Sequence, residues 1–225
     1  MSQSVINAGI LAGCYLLLFA LGEFLYHYFK VKVEITRKIV HIGTGLLALL
    51  FPLLLDNHWL VLVLCGLFAG VLMLSLRFHL LPSINAIDRR SIGSLAYPIS
   101  VYGCYLVYDL NGGRYAYYYL PILILAVCDP IAGLTGKRWA IGPYHIAGAH
   151  KTLVGSLMFL CSAMLLTVGY FVLFCSAAVG SSLIFTVVCV AFLSTLAEAV
   201  SRDGYDNITI PLAVIVGLVL TKSIV

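Results

Sequence analysis

Apolar runs long enough to cross a lipid bilayer recur through this chain with only short polar breaks between them. That recurrence is the strongest constraint on its fold. Backbone polar groups find no water in a hydrocarbon interior, so a spanning segment must satisfy its own hydrogen bonds. Repeated stretches of about 18 or more apolar residues therefore predict an all-α, polytopic transmembrane helix bundle. Hydrophobic residues make up 62% of the chain and charged residues only 10%, more apolar surface than a soluble core of this size needs. The mean hydropathy of +1.07 agrees.

About eight spans are expected, within a range of seven to nine: 4–29, 39–55, 59–76, 93–109, 115–137, 152–174, 182–200 and 208–223. The first lacks the basic start and short apolar core of a cleaved signal, so it reads as a mature helix. No separate soluble domain, low-complexity region or strong repeat interrupts the series, and residues 1–225 read as one integral membrane domain. The seven cysteines lie inside apolar runs without a CxxC pair. They read as small helix residues, not as disulfides or zinc ligands.

The charges sort by side. Eleven of the 13 Lys and Arg residues fall after the first, third, fifth and seventh spans. By the positive-inside rule those loops face the cytoplasm and both termini the opposite side. The sequon at Asn207 then lies on the cytoplasmic side and is not read as glycosylated.

Membrane orientation needs only cations, yet carboxylates and histidines accompany them: Asp88, Asp129, Glu198, Asp203 and Asp206, with His41, His145 and His150. Asp129 ends an uncharged run that begins at Tyr115, just before Pro130. An ionisable side chain at the centre of a spanning helix costs about 2.5–3.5 kcal/mol on insertion scales. Glu198 closes another apolar run, and Asp206 with Asn207 opens the last. Three helices thus bring a carboxylate to one rim. Helix capping or interfacial snorkelling accounts for any one of them more readily than for all three.

Cations surround them. Gly133, Gly136, Lys137 and Arg138 form a GxxGKR pattern, not the GxxxxGK[ST] of a P-loop. Glycines let backbone approach phosphate, and Lys and Arg neutralise it. Lys151 and Thr152 open the next span, where a lysine and helix N-terminal N–H groups suit an anion. An ordinary basic loop at lipid headgroups is the competing reading. Arg37, His41 and Gly45 recur at four-residue spacing with Lys38 alongside, placing Arg37 and His41 on one drifting helix face. Arg89 and Arg90 precede a span broken by Pro98. Carboxylates to hold Mg²⁺ and cations to hold nucleotide phosphates point to phosphoryl transfer onto a lipid alcohol that reaches the rim from the bilayer.

Five motifs over residues 37–212 resemble the CTP-dependent polyprenol kinase family of integral membrane proteins, the phytol kinase- and dolichol kinase-like enzymes. "RKIVHIGTG" (37–45) is similar to RKxxHxxxG, and "RRSIGSLAYPIS" (89–100) to the family's small-residue element ending in Pro. "DPIAGLTGKRWAIG" (129–142) is similar to DxxADxxGRxxG. "KTLVGS" (151–156) is similar to K-[ST]-x-x-G-S, and "EAVSRDGYDNITIPL" (198–212) to an element with Glu, then Asp-Asn, then Pro. Gly133 stands where relatives often carry a second acid, and Lys137-Arg138 replaces a single arginine. Val154, where dolichol kinase-like members often have Glu, tilts the reading toward phytol.

The resemblance implies transfer of the γ-phosphate of CTP to an isoprenoid alcohol, phytol favoured, giving a prenyl monophosphate and CDP. It implies Asp129, Glu198 and Asp206 as acidic and metal-site residues for Mg²⁺. Lys137, Arg138, Lys151 and Thr152 are implied around the nucleotide with Gly133 and Gly136. Arg37, Lys38 and His41 are further polar-site residues, and Asn207 orients Asp206 or touches nucleotide. Asp129, Asp206 and His41 each remain open as the general base. The expected partners are CTP, the alcohol and membrane lipid, not nucleic acid. The alternatives are a dolichol, polyprenol, farnesol or geranylgeraniol kinase, a CTP-using phosphatidate cytidylyltransferase-like enzyme, or a non-catalytic transporter or scaffold. A transporter places polar groups near the midplane of two related halves, whereas here they crowd one rim.

Overall fold

A computed structural model describes residues 3–78, 80–85, 92–175 and 180–221. The fold is an all-α bundle. In order it contains α1 (Gln3–His27), α2 (Val33–Ala48), α3 (Phe51–Leu54), α4 (His58–Arg77), α5 (Pro82–Asn85), α6 (Gly93–Leu110), α7 (Ala116–Leu123), a π-helical turn (Ile124–Cys128) and α8 (Asp129–Arg138). A hairpin of β1 (Pro143–Ile146) and β2 (Ala149–Thr152) leads into α9 (Leu153–Phe174), α10 (Ser181–Val200) and α11 (Asp206–Leu220). Asp88, Arg89, Arg90 and Ser91 lie outside the described residues.

Among the described residues, six helical segments are long and apolar enough to cross a membrane. α6 and α11 add two helices where spans were expected. The tyrosines and Pro98 of α6 make it more polar than the six. The 15 residues of α11 reach only about 22 Å at the helical rise. Large apolar side chains such as Leu17, Leu67, Leu165 and Phe185 point outward, as a multi-pass membrane protein requires. All seven cysteines are free.

The second helix starts six residues before the expected span. Glu34, Arg37 and Lys38 therefore sit on its first turns rather than in a loop, because a helix end at the polar rim tolerates charge. It stops before Pro52, which cannot continue the backbone ladder.

The segment Ala116–Arg138 is the centre of the bundle. Half of its most apolar window is buried, against 22% for that of α1. It packs against α2, α6, α9 and α11. Its register widens to the π form just before Asp129. At that spacing Pro130 would face the Leu125 carbonyl but has no N–H to offer, which leaves the carbonyl for another donor.

The hairpin was not anticipated. Its turn, Ala147-Gly148, has positive φ at both residues (51° and 78°), as a two-residue type I′ connection needs. The register pairs His145 with His150 and Tyr144 with Lys151, so the hairpin lies at the same end as the first turns of α2, α9 and α11.

Candidate active site

At that end a cavity of about 720 Å³ opens between α2, α6, α8, the hairpin and the 201–207 connection. Asp129, Glu198 and Asp206 all line it, as do Arg37, Lys38, His41, Gly133, Gly136, Lys137, Lys151, Thr152 and Asn207. Arg138 is the one candidate from the sequence that does not. Of the two neighbouring cations, Lys137 lines the cavity from the last turn of α8.

The carboxylates are not equivalent. Asp129, at the first turn of α8, accepts a hydrogen bond from Lys38 Nζ at 2.7 Å. His41 Nε2 is 3.9 Å from the same oxygen and donates to the Leu125 carbonyl at 3.0 Å. That carbonyl is the acceptor released by the π turn and Pro130. A carbonyl only accepts, so Nε2 carries the proton. The His41 ring meets Tyr97 edge-on at 4.7 Å, and Tyr97 Oη donates to the His41 carbonyl at 3.4 Å. One helical turn further along α2, Gly45 lies against Ala126 and the Tyr97 hydroxyl, where a Cβ would collide with both. The RKIVHIGTG motif is thus a helix face pressed onto the π turn.

Glu198 closes α10 and is buried. Lys151 Nζ donates to its Oε1 at 2.5 Å, and Ser156 Oγ to its Oε2 at 3.3 Å. Tyr144 Oη is 2.5 Å from Ser156 Oγ, so the hairpin is tied to the same pair. Burial alone would lower the Lys151 pKa, but Glu198, with Asp206 and Asp129 beyond it, outweighs burial and holds it above the ordinary lysine value.

Asp206 opens α11. Its Oδ1 accepts from the Asn207 backbone N–H at 3.0 Å and from Asn207 Nδ2 at 3.4 Å. Asn207 is anchored by its own carbonyl, which accepts from Ser100 Oγ at 2.5 Å. The Asn207 side-chain oxygen is buried and has no hydrogen-bond partner among the described residues. A buried acceptor of this kind is completed by an ordered water or by a ligand.

Gly133 and Gly136 lie on helix α8, not in a phosphate-cradling loop. Their role in the fold is close packing. A Cβ on Gly136 would stand 2.7 Å from Thr152 Oγ1 and 3.3 Å from the Gly155 Cα. A Cβ on Gly133 would stand 3.3 Å from Lys38 Nζ, so its absence leaves the amine its place beside Asp129. Thr152 caps α9, its Oγ1 accepting from Gly155 N at 3.1 Å.

Sequence reasoning missed Glu34, Tyr97 and Ser156. Glu34 makes an ion pair with Lys137 at the mouth of the cavity. No local spacing in the sequence links it to α8. Tyr97 and Ser156 lie within the motifs RRSIGSLAYPIS and KTLVGS, but neither stands out there by residue type.

Asp129, Glu198 and Asp206 were the expected metal-site carboxylates, but in the fold both Glu198 oxygens are taken by Lys151 and Ser156. Among the described residues, no group of three His, Cys, Asp or Glu side chains is placed to hold an ion. A resident all-protein cage is therefore a poor fit. Mg²⁺ commonly takes one or two carboxylates and completes its shell with water and substrate phosphates. Asp129 and Asp206, lining one cavity with lysines around it, fit that pattern.

No protein-family model matches the chain, and no solved structure matches it. It is similar to a curated protein, a phytol kinase of Synechocystis sp., at 37% identity over 182 residues. The match covers 80% of this chain and 76% of that protein.

Proposed function

The chain belongs to the phytol kinase family, and on that footing we propose that it transfers the γ-phosphate of CTP to a membrane isoprenoid alcohol, phytol being preferred. The observation that carries the reading is one cavity with two linings. Lys38, Lys137 and Lys151 stand at its rim with Asp129, Glu198 and Asp206, and buried apolar side chains continue it into the bundle. A phosphorylated nucleotide suits the first and a long hydrocarbon alcohol the second. The choice of CTP is supported by the resemblance of the five motifs. The orientation that brings this rim to the cytoplasm is supported by the distribution of Lys and Arg.

In the proposed reaction the alcohol oxygen bonds to the γ-phosphorus, and the bond from that phosphorus to the β–γ bridging oxygen breaks. CDP leaves, and the hydroxyl proton passes to a carboxylate. Lys137 and Lys151 hold phosphate oxygens at the rim, with Arg37 beside them. Asp206 is the favoured proton acceptor, since its hydrogen bonds come from Asn207 and not from a lysine. Asp129 is already neutralised by Lys38. His41 holds the π turn through its Nε2–H bond to the Leu125 carbonyl, and the same tautomer leaves Nδ1 as an acceptor nitrogen, which makes the ring the second proton acceptor after Asp206. Asp129 and Asp206 would hold Mg²⁺ together with the nucleotide, and when bound the ion would supply charge neutralisation to the transferring phosphoryl group. Glu198 keeps Lys151 in place.

The test is an assay of the purified protein in lipid nanodiscs with γ-labelled CTP or ATP, Mg²⁺, and farnesol, geranylgeraniol, phytol or dolichol. Label should pass from CTP to phytol. If neither nucleotide labels any alcohol, the reading is wrong.

A further inference from the structure

The inner part of the cavity is a chamber of unusual composition. From the charged end it runs past Thr44 on α2 to Tyr15 and Phe19 of α1, Phe51 of α3, and Cys65, Phe68 and Leu72 of α4. Those six side chains are all buried within the bundle, facing away from surrounding lipid. Along α4 the lining face from Cys65 to Leu76 covers about 16 Å of helical rise. Leu76 and Ile84 lie near the rim, because α5 is tied to the first turns of α2 by the Thr36 hydroxyl, which donates to the Ser83 carbonyl at 2.6 Å. Cys65 is at the inner end.

That inner end is closed by aromatic rings. Tyr15 packs on Phe68 at 4.3 Å and edge-on to Phe51 at 6.2 Å, and Phe19 meets Phe68 at 6.0 Å. The Tyr15 hydroxyl there is already bonded: its Oη donates to the Thr44 carbonyl at 3.2 Å. The walls therefore present hydrocarbon and ring surface to whatever occupies the space. Protein interiors are close-packed, and an apolar void forfeits the contacts of its lining. A chamber continuous with a phosphoryl-transfer rim favours an apolar chain whose polar head stays at that rim.

We propose that this chamber binds the isoprenoid tail of the acceptor alcohol inside the bundle, and that Tyr15, Phe51 and Cys65 at its inner end set the chain length the protein accepts. The inference rests on the reading of the acceptor as an isoprenoid alcohol. The hydroxyl end lies near Asp129 and Asp206, and the tail follows the Leu72–Phe68 face inward. Cys65 is small where a larger side chain would fill the end of the chamber. Phe51 is large where a smaller one would extend it.

Two measurements test the proposal together. The first is kinetic. Cys65→Phe should shift the ratio of kcat/KM for farnesol over phytol upward by about tenfold or more, the size of effect that pocket-filling produces in apolar sites. Phe51→Ala should shift preference toward longer polyprenols. An unchanged ratio across farnesol, phytol and a long polyprenol in both variants overturns the proposal. The second uses the unmodified protein and so does not depend on a variant folding. An isoprenoid alcohol of phytol length with a terminal diazirine is photolysed in nanodiscs, and the labelled peptides are mapped. Label on Tyr15, Phe51 or Phe68 supports the chamber. Label confined to outward-facing residues such as Leu17 or Leu67 overturns it. Label in the chamber without phosphorylation of any alcohol would keep the chamber and remove the kinase reading. Phosphorylation with label only on the outer face would do the reverse.

Discussion

Lys38 and Asp129 stand 91 positions apart in the chain and 2.7 Å apart in the fold. The contact joins the first turns of α2 to the start of α8. It puts a cation and a carboxylate at the point where the polar rim meets the apolar chamber.

The pair serves both fold and chemistry, and substitutions separate the two. Asp129→Asn keeps the shape and removes the charge. It should lower phosphoryl transfer by about a hundredfold or more, the scale of losing one positioned electrostatic group. The protein should still insert and elute as a single species on size exclusion. The exchanged pair Lys38→Asp with Asp129→Lys should retain that elution profile and remain inactive. Full activity in Asp129→Asn would take the residue out of the site.

Lys151 and Glu198 form the second buried pair, with Ser156 on the other carboxylate oxygen. Removing one partner of a buried pair leaves an uncompensated charge, which costs about 3–5 kcal/mol. Lys151→Met should therefore lower the melting temperature in detergent clearly. Ser156→Ala, which removes one hydrogen bond to a charged group, should cost about 1.5–3 kcal/mol. A melting temperature unchanged in Lys151→Met would show that the pair contributes no net stability.

Gly136 tests packing against local propensity. On α8 its Cβ position is blocked by Thr152 Oγ1 and by the Gly155 backbone. Gly136→Ala should force α8 from α9 and destabilise by about 1–3 kcal/mol. Gly66 on α4 has nothing within 4 Å of its Cβ position. There alanine removes a flexible residue from a helix interior and should be neutral or slightly stabilising. Thermal melts of the two variants give the comparison, and equal melting temperatures would discount the α8–α9 contact.

Much of this was legible because membrane-length apolar runs leave few choices of fold. Asp129, Glu198 and Asp206 were conspicuous as acids at the ends of such runs, where they are costly to insert. Their partners were harder to see. Lys38 and Lys151 carry no local signal that pairs them with Asp129 and Glu198, since those contacts depend on how the helices pack. Gly133 and Gly136 suggested a phosphate loop from composition, but the tight approach of α9 accounts for Gly136 within a helix. The β-hairpin hid because Ala147 is a poor candidate for a left-handed turn position, and only Gly148 marked it. The π turn before Asp129 was signalled only by Pro130.

The mouth of the cavity offers the last prediction. Lys137 on α8 is paired with Glu34 on α2, and both side chains are substantially exposed. Such pairs contribute about 0–1 kcal/mol to stability and weaken with salt, so Glu34 holds Lys137 loosely. A nucleotide phosphate with more than one negative charge competes well for the same ammonium. Glu34→Gln should lower the KM for the nucleotide with kcat little changed, most visibly at low ionic strength. Lys137→Met should raise that KM. Arg138→Met should leave it unchanged, because Arg138 does not line the cavity. Steady-state kinetics of the three variants at two salt concentrations measure this, and a larger effect from Arg138→Met than from Lys137→Met would reverse the assignment of the phosphate-binding cation.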